Sequence, residues 1–473
     1  MNAATPTGRE ASRQRGGWML PAVVFGLVVV VQLVLVAVAG TDIPFHDQWD
    51  IEGRWLYPAW TEGSLQFMDL LRPCNEHRIL WTHLLNLALF SANGQWDPLV
   101  QLVAIAGLRA ACAAGLAWLV GSGLAWRGRV AVAVGVTGAF LPHLAWHNVL
   151  WGIESHSYFV LGLSLLALAL LGAADRSDRQ TLAGLAAGGA ALLAMAPGGF
   201  VPVALLGLAA VRACESRRLD RMAWRQVWPA LALLLVAWAL YTTPSTSAPP
   251  RTVDWPQLFA VAGRVLAWPH VGQPLAAIPM NLPLLLVVLG RALGRRRPAR
   301  GEDFVLLAGG WSVAVALATA WVRGGNAELA AGVPSRYVDF LVLLPLANAW
   351  CIVVLATEAT PRWRASGRLV AAAWGLFLFA GWLGLSAQMM RGVILPRMRD
   401  REAPIRLTVA FQASGDAAVF AGQPRLLVPH PNAESVRVVL ADPRMTGRLP
   451  PSLQPGRPLG PLSRAVRWLL WRQ

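Results

Sequence analysis

Long apolar runs alternate with short polar, arginine-rich segments along almost the whole chain. The first run, Trp18 to Ala39, is 22 residues long. As a helix it crosses roughly 30 Å of hydrocarbon. Nine more runs predict helices at Pro98–Leu124, Val130–Ala145, Phe159–Ala174, Leu182–Ala196, Phe200–Val211, Val227–Tyr241, Phe304–Val322, Tyr337–Ala356 and Val370–Met389. A further span has its core at Leu282–Leu289 and is completed by the apolar residues before it. The pattern predicts an all-α polytopic membrane protein with about eleven transmembrane helices. Leu182–Ala196 and Phe200–Val211 read as a hairpin turning at Pro197-Gly198-Gly199.

The segments between the runs divide the chain. Residues 1–17 form a short polar N-terminus, residues 18–390 the transmembrane domain, and residues 391–473 a small C-terminal cap. Polar outer loops fall at 40–97, 143–158, 242–281 and 323–336. In the first loop Asp47, Asp50 and Arg54 share one helical face, leaving Trp49, Leu56 and Trp60 to lie against the membrane. A second amphipathic helix is predicted over Glu76–Phe90, and a third segment over Trp255–Trp268. The tail carries strand-like patches, R-L-L-V-P and V-R-V-V-L, and ends in an interfacial amphipathic helix, S-R-A-V-R-W-L-L-W-R-Q.

Composition agrees with a membrane protein. The chain is 56% hydrophobic and only 14% charged, against about 25% charged in soluble domains. Its +16 net charge comes from 41 basic residues, all arginine. Twenty of these fall on the segments predicted to be cytoplasmic and seven on the outer loops, which sets the N-terminus in the cytoplasm and the C-terminus outside. Thirteen arginines lie in the tail, but a long segment is exported largely regardless of charge. Arginines placed between apolar runs suit anionic membrane lipids and argue against nucleic acid as a partner. The first run lacks a small-residue cleavage site and reads as an uncleaved anchor. The absence of lysine points to a GC-rich bacterial genome, and so to the bacterial cytoplasmic (inner) membrane. The four cysteines form no C-x-x-C pair, which gives neither a zinc ribbon nor a disulfide framework.

Candidate chemistry gathers between Thr41 and His83. That stretch holds Asp42, His46, Asp47, Asp50, Glu76, His77, Arg78 and His83. Ionisable groups beside a bilayer are costly and usually line a cavity or a site. All eight histidines fall on the predicted outer side or at its edge, six of them in the first two outer loops. His143 and His147 are four apart, with Glu154 and His156 close behind, a weak pattern for a divalent metal ion. Carboxylates alone, from Asp47 or Asp50 with Glu154, are an alternative cation site. Crowded, partly dehydrated acids raise one another's pKa, so one of Asp47, Asp50, Glu76 and Glu154 can serve as a base near neutral pH. Arg78 and Arg336 are two-pronged donors suited to phosphate. Trp49, Trp81, Trp146 and Trp151 can stack on a sugar or belong to the interfacial belt.

One span leads into a long outer loop with an acidic motif, His46-Asp47-Gln48-Trp49-Asp50, and a second acidic outer loop follows around Glu154. This layout resembles the C-type (GT-C) integral membrane glycosyltransferases that use polyprenyl-phosphate sugars. The resemblance implies an inverting sugar transfer on the periplasmic face, from a lipid-linked sugar donor to a glycan or lipid acceptor. It implies Asp47 or Asp50 as general base, Glu154 as the second-loop acid, and Arg336 with Tyr337 at the donor phosphate. Glu76, His77, Arg78 and His156 complete the expected substrate-binding set. The family's acidic pair is often adjacent, whereas Gln48-Trp49 separates the two acids here. The other readings are a transporter or flippase for lipid-linked glycans and a non-catalytic envelope assembly subunit. A transporter places charges near the bilayer midplane. Here Arg109 is the one clear mid-span charge, and the polar residues weigh toward one side.

Overall fold

The computed structural model describes residues 8–75, 77–217, 221–241, 254–323, 333–358 and 360–472. It is an all-helical bundle with a second, smaller layer at one end. The helices are α1 (Gly8–Ala39), α2 (Tyr57–Glu62), α3 (Leu80–Asn93), α4 (Pro98–Gly121), α5 (Trp126–Ala139), α6 (Trp146–Leu150) and α7 (Ser155–Gly172). They continue as α8 (Asp178–Leu192), α9 (Val201–Ser216), α10 (Arg221–Tyr241), α11 (Trp255–Leu266), α12 (Ala277–Ala292), α13 (Glu302–Arg323), α14 (Val338–Leu341), α15 (Leu343–Glu358) and α16 (Arg364–Met389). The tail adds α17 (Leu395–Arg399), α18 (Ala403–Ser414), α19 (Ala433–Ala441) and α20 (Pro461–Trp471).

Among the described residues, nine helices are long and apolar enough to cross a membrane. Two of the eleven predicted spans, Val130–Ala145 and Leu182–Ala196, are instead the shorter helices α5 and α8, of 14 and 15 residues. At 1.5 Å per residue these reach only about 21–23 Å. Local chemistry explains several boundaries. Asp97 caps α4, its carboxylate accepting the Leu99 N–H at 3.0 Å, with Pro98 at the first helical position. Helix α3 begins at Leu80 rather than Glu76, because Asn75 takes φ of 53° in a turn that pairs Cys74 with His77. The tail patch V-R-V-V-L is helical, not strand-like. Asn432 caps α19 at the Glu434 N–H, and Val436 and Val439, three apart, share its buried face.

The second layer is built jointly by the first loop and the tail. Ile43, Trp49, Leu56, Tyr57, Phe90 and Trp96 pack in one cluster with Phe411, Val436, Val439, Met445 and Leu453 of the tail. Trp49 and Leu56 are therefore fully buried in protein rather than laid against the membrane. Polar latches fix the two parts. Asp42 accepts from Ser452 N at 2.9 Å and Ser452 Oγ at 2.8 Å, and Asp97 accepts from Ser463 Oγ at 2.6 Å. Arg467 reaches both carboxylates, at 3.2 Å and 2.5 Å.

Beneath this layer a fully buried ion pair joins the spans. Arg109 on α4 holds Asp339 on α14 by two bonds, Nε–Oδ2 at 3.2 Å and Nη2–Oδ1 at 2.9 Å. Tyr158 Oη (2.7 Å) and Asn148 Nδ2 (3.3 Å) also donate to Asp339, and Arg109 Nη1 donates to the Phe140 carbonyl at 2.8 Å. Removing one partner of such a pair strands a charge in a low-dielectric interior, at a cost of about 3–5 kcal/mol. Arg109→Met should lower the thermal unfolding midpoint of the detergent-solubilised protein sharply. The double variant Arg109→Met/Asp339→Leu should recover part of the loss; equal losses in the two would contradict a buried-charge penalty.

Candidate functional site

The residues from His46 to Leu56 build the centre of the site. His46 is turned into the left-handed region (φ 45°) and donates its backbone N–H to the Pro429 carbonyl of the tail at 2.8 Å. A π-helical stretch, Trp49–Leu56, follows. Such wide turns are rare and frequently mark functional positions. Trp49, Ile51, Glu52, Gly53 and Leu56 face inward, whereas Asp50 and Arg54 stay accessible and pair at 3.5 Å. Trp49 donates Nε1–H to the Pro44 carbonyl at 2.7 Å, so it is a core residue and not a stacking platform.

The inward face carries a polar network that holds the first loop against the second. Glu52 is fully buried and accepts from Trp96 Nε1 (2.8 Å), Gln101 Nε2 (3.0 Å), Gln48 Nε2 (3.2 Å) and Asn86 Nδ2 (2.6 Å). Burial pushes its carboxyl up to about 7, although the Gln101, Gln48, Trp96 and Asn86 donors pull it back. With its amide held there, Gln48 uses Oε1 to accept the backbone N–H groups of Phe45 (3.1 Å) and Gly152 (3.2 Å). A Cβ at position 152 would stand 2.1 Å from Gln101 Oε1, so any larger residue would displace the Gln101 amide from this network.

Asp47 and Asp50 sit above this network and differ electrostatically. Asp50 accepts from His430 Nε2 at 3.1 Å. That bond, reinforced by Ser435 and Arg54 against the opposing effect of burial, brings its carboxyl down to about 2. Asp47 is exposed, yet dense protein around it raises its carboxyl, with Asp50 adding to the rise and His156, Arg336 and His430 opposing it. His156 also meets Glu154 of the second loop at 3.4 Å, so one imidazole contacts one acid and acts on the other through its charge. Glu154 is buried and accepts from Ser157 Oγ at 3.3 Å as well.

Aromatic rings and basic groups complete the surroundings. His46 stacks on Trp151 at 4.8 Å, and His147 lies edge-on to the same indole at 4.5 Å. Burial lowers His46 to about 4, with help from Arg425, His430 and Arg336. His147 is lowered well below its usual value, first by burial and then by Arg336, His46 and Arg425. Its Nδ1 is in close hydrogen-bond contact with Ser335 Oγ. Arg336 and Tyr337 follow directly, the guanidinium lying 5.3 Å from its neighbour's ring, and Asn148 donates to the Arg336 carbonyl at 3.1 Å.

Other expected members stand elsewhere. Arg78 donates to the carbonyls of Leu240 (2.9 and 3.2 Å) and Leu71, so its guanidinium ties the loop to α10. His77 lies in the small pairing with Cys74. Glu76 falls outside the described residues, as do 242–253 and 324–332 of the later outer loops. His83 is buried, contacts the Leu70 carbonyl at 3.0 Å, and is lowered to about 4 by that burial. His143 is half-buried, and burial, aided by the Arg109 charge, lowers it. Among the described residues, no three of His, Cys, Asp and Glu are grouped as a metal ion requires. Of His143, His147, Glu154 and His156 only Glu154 and His156 meet, while His147 is turned to Ser335.

Three important residues carried weak signals in the sequence. Glu52 is an acid on the apolar side of an amphipathic stretch, and Asp339 is a lone acid inside an apolar run. His430 lies 380 positions from Asp50, and no local spacing indicates it. No family model matches the chain, and no characterised protein matches it significantly.

The Asp50–His430 pair makes tail docking depend on pH. Asp50's contribution is present above its unfolded value near 3.8 and is lost as pH falls through about 2. Burial disfavours charged His430, but Asp50 and the Asn432 carbonyl outweigh it and raise the imidazole above 6.5. Its contribution is therefore full below 6.5 and is lost as pH rises through the raised value. Glu52, raised from 4.5 to about 7, acts in the same direction, its contribution being lost over that interval. Resistance of the tail to limited proteolysis should be greatest at about pH 4, where all three contributions are present, and fall as pH rises toward 9. Asp50→Asn should flatten that profile; an unchanged profile would exclude the pair as its source.

Proposed function

We propose that the chain is a membrane glycosyltransferase that moves a sugar from a polyprenyl-phosphate donor to a cell-surface glycan or lipid acceptor. The observation that carries this reading is the unequal treatment of the two acids of His46-Asp47-Gln48-Trp49-Asp50. Asp50 is tied to His430 and held low, whereas Asp47 is exposed and raised, facing His156 and the Arg336 charge. A general base works best when its pKa approaches the working pH and its carboxylate is reachable. Asp47 is reachable and its carboxyl is shifted in that direction, so it is the base, accepting the proton of the acceptor hydroxyl as the sugar–phosphate bond breaks. Arg336 binds the departing phosphate, its planar fork matching two phosphate oxygens. Glu154 and His156 orient the sugar or acceptor, and Trp151, half-buried beside His46, offers a ring edge to the sugar.

The sealed Arg109 favours an enzyme over a transporter. That mid-span charge is spent on Asp339 and the Phe140 carbonyl, and the accessible charged groups of the site lie at one end of the bundle. In this reading α5 and α8 are short membrane crossings that complete an eleven-span topology. The N-terminus is cytoplasmic, the C-terminus is outside, and the site opens on the periplasmic face of a bacterial inner membrane.

Purified protein given a radiolabelled polyprenyl-phosphate sugar and an acceptor tests the assignment. Asp47→Asn should lose turnover by about 10² or more while still binding donor, as expected when a general base is removed. Asp50→Asn should retain much more activity, and Arg336→Ala should weaken donor binding. Full activity in Asp47→Asn, or no sugar transfer from any polyprenyl-phosphate donor, would overturn the proposal.

A further inference from the structure

Where α1 leaves the bundle, its last turn meets the tail at a recess of about 620 Å³. The apolar part of its wall is Ala37, Val38, Met398, Leu470 and Trp471. The Ala37 carbonyl is a fixed point, accepting from Arg401 Nη1 at 2.8 Å and from Trp471 Nε1 at 2.9 Å. Arg401 is held further by the Trp471 ring, 4.8 Å below its guanidinium. The rest of the lining is charged and of both signs. Asp400 and Arg406 neutralise each other at 2.7 Å. Arg399 and Glu402 are exposed on the same recess, and neither side chain has a hydrogen-bond or ion-pair partner among the described residues.

The surroundings set the level at which this recess meets the bilayer. Leu395, Met398, Trp468 and Leu469 are exposed beside it, on α17 and on the amphipathic α20. Helices of this kind lie at the membrane surface, and tryptophan concentrates at headgroup depth. The recess thus offers an apolar floor, a cation and an anion at the depth of lipid headgroups.

We propose that this recess binds one phospholipid whose headgroup carries both a phosphate and a primary ammonium, as phosphatidylethanolamine does. The phosphate sits against Arg399 and Arg401, and the ammonium donates to the Glu402 carboxylate. The acyl chains run down past Val38 and Met398 along the outside of α1. Mixed charge is what selects this occupant. A purely anionic head would leave Glu402 facing like charge, and a polyprenyl phosphate has no ammonium to offer it. The bound lipid joins the first span to the tail.

The test is native mass spectrometry of the full-length protein released from nanodiscs of equal phosphatidylethanolamine and phosphatidylglycerol. One phosphatidylethanolamine should be retained in preference. Replacing that lipid by phosphatidylcholine, whose quaternary head cannot donate a hydrogen bond, should reduce retention. This arm needs no variant. Arg399→Ala and Glu402→Gln should each lower retention about tenfold, the effect of losing one charge-assisted hydrogen bond. Both side chains are exposed and partnerless, so thermal stability in lipid-free detergent should not change. Equal retention of the lipids, preference for phosphatidylglycerol, or retention unaffected by both substitutions would overturn the proposal.

Discussion

The Arg109–Asp339 pair is the constraint on which the positions of the site residues depend. A guanidinium and a carboxylate buried together require near-complete hydrogen bonding, since each alone would be stranded in an apolar interior. Here the requirement is met from several helices at once: Arg109 from α4, Asp339 from α14, Tyr158 from α7 and Asn148 from α6, with the Phe140 carbonyl at the end of α5. Asn148 belongs to the second polar loop, and Arg336 lies three residues before Asp339. The pair therefore fixes the height of both segments beside the first loop. His147 reaching Ser335 and Asn148 reaching the Arg336 carbonyl follow from that registration.

A second network performs the corresponding task for the first loop. Glu52 gathers four N–H donors, and through Gln48 the same loop captures the backbone of Gly152. An ionised carboxylate suits four donors, while burial favours the neutral acid, so the two effects nearly balance. Gln48 is, with Trp49, one of the two residues that separate Asp47 from Asp50, and its side chain is an anchor. Its inward course fits the π-helical turn beginning at Trp49, which keeps Asp50 outside while Glu52 goes in.

Much of the bundle was legible because apolar runs of helical length separated by arginines leave few alternatives. The shortfall at α5 and α8 is one of length, since composition marks apolar character more sharply than where a helix stops. The acidic motif of the first loop and the second-loop acid were legible as a cluster of ionisable groups in an apolar chain. Arg109 was visible as an isolated charge, but its partner was hidden among V-D-F-L-V. Asp339 becomes interpretable only when two lone charges in different spans are matched. For Arg78 the sequence shows the donor and not its acceptors, which are backbone carbonyls of Leu71 and Leu240. The tail did mislead. β-branched V-R-V-V-L suggested a strand, but the Asn432 cap and the three-residue spacing of Val436 and Val439 outweighed that preference.

The tail matters to the site through electrostatics as well as packing. Two carboxylates three positions apart, one exposed and one half-buried, would repel and titrate as a coupled pair. His430 removes that symmetry by donating to one of them. Once Asp50 is neutralised by an imidazolium, its charge disturbs Asp47 less, and the remaining rise in Asp47 comes mainly from its dense surroundings. The tail can exert this effect only if it is held in place. The Asp42 and Asp97 latches, and the apolar cluster shared by Trp49 and Val439, hold it there. The same interactions that give the tail a core therefore decide which first-loop acid is paired and held low and which stays exposed and raised.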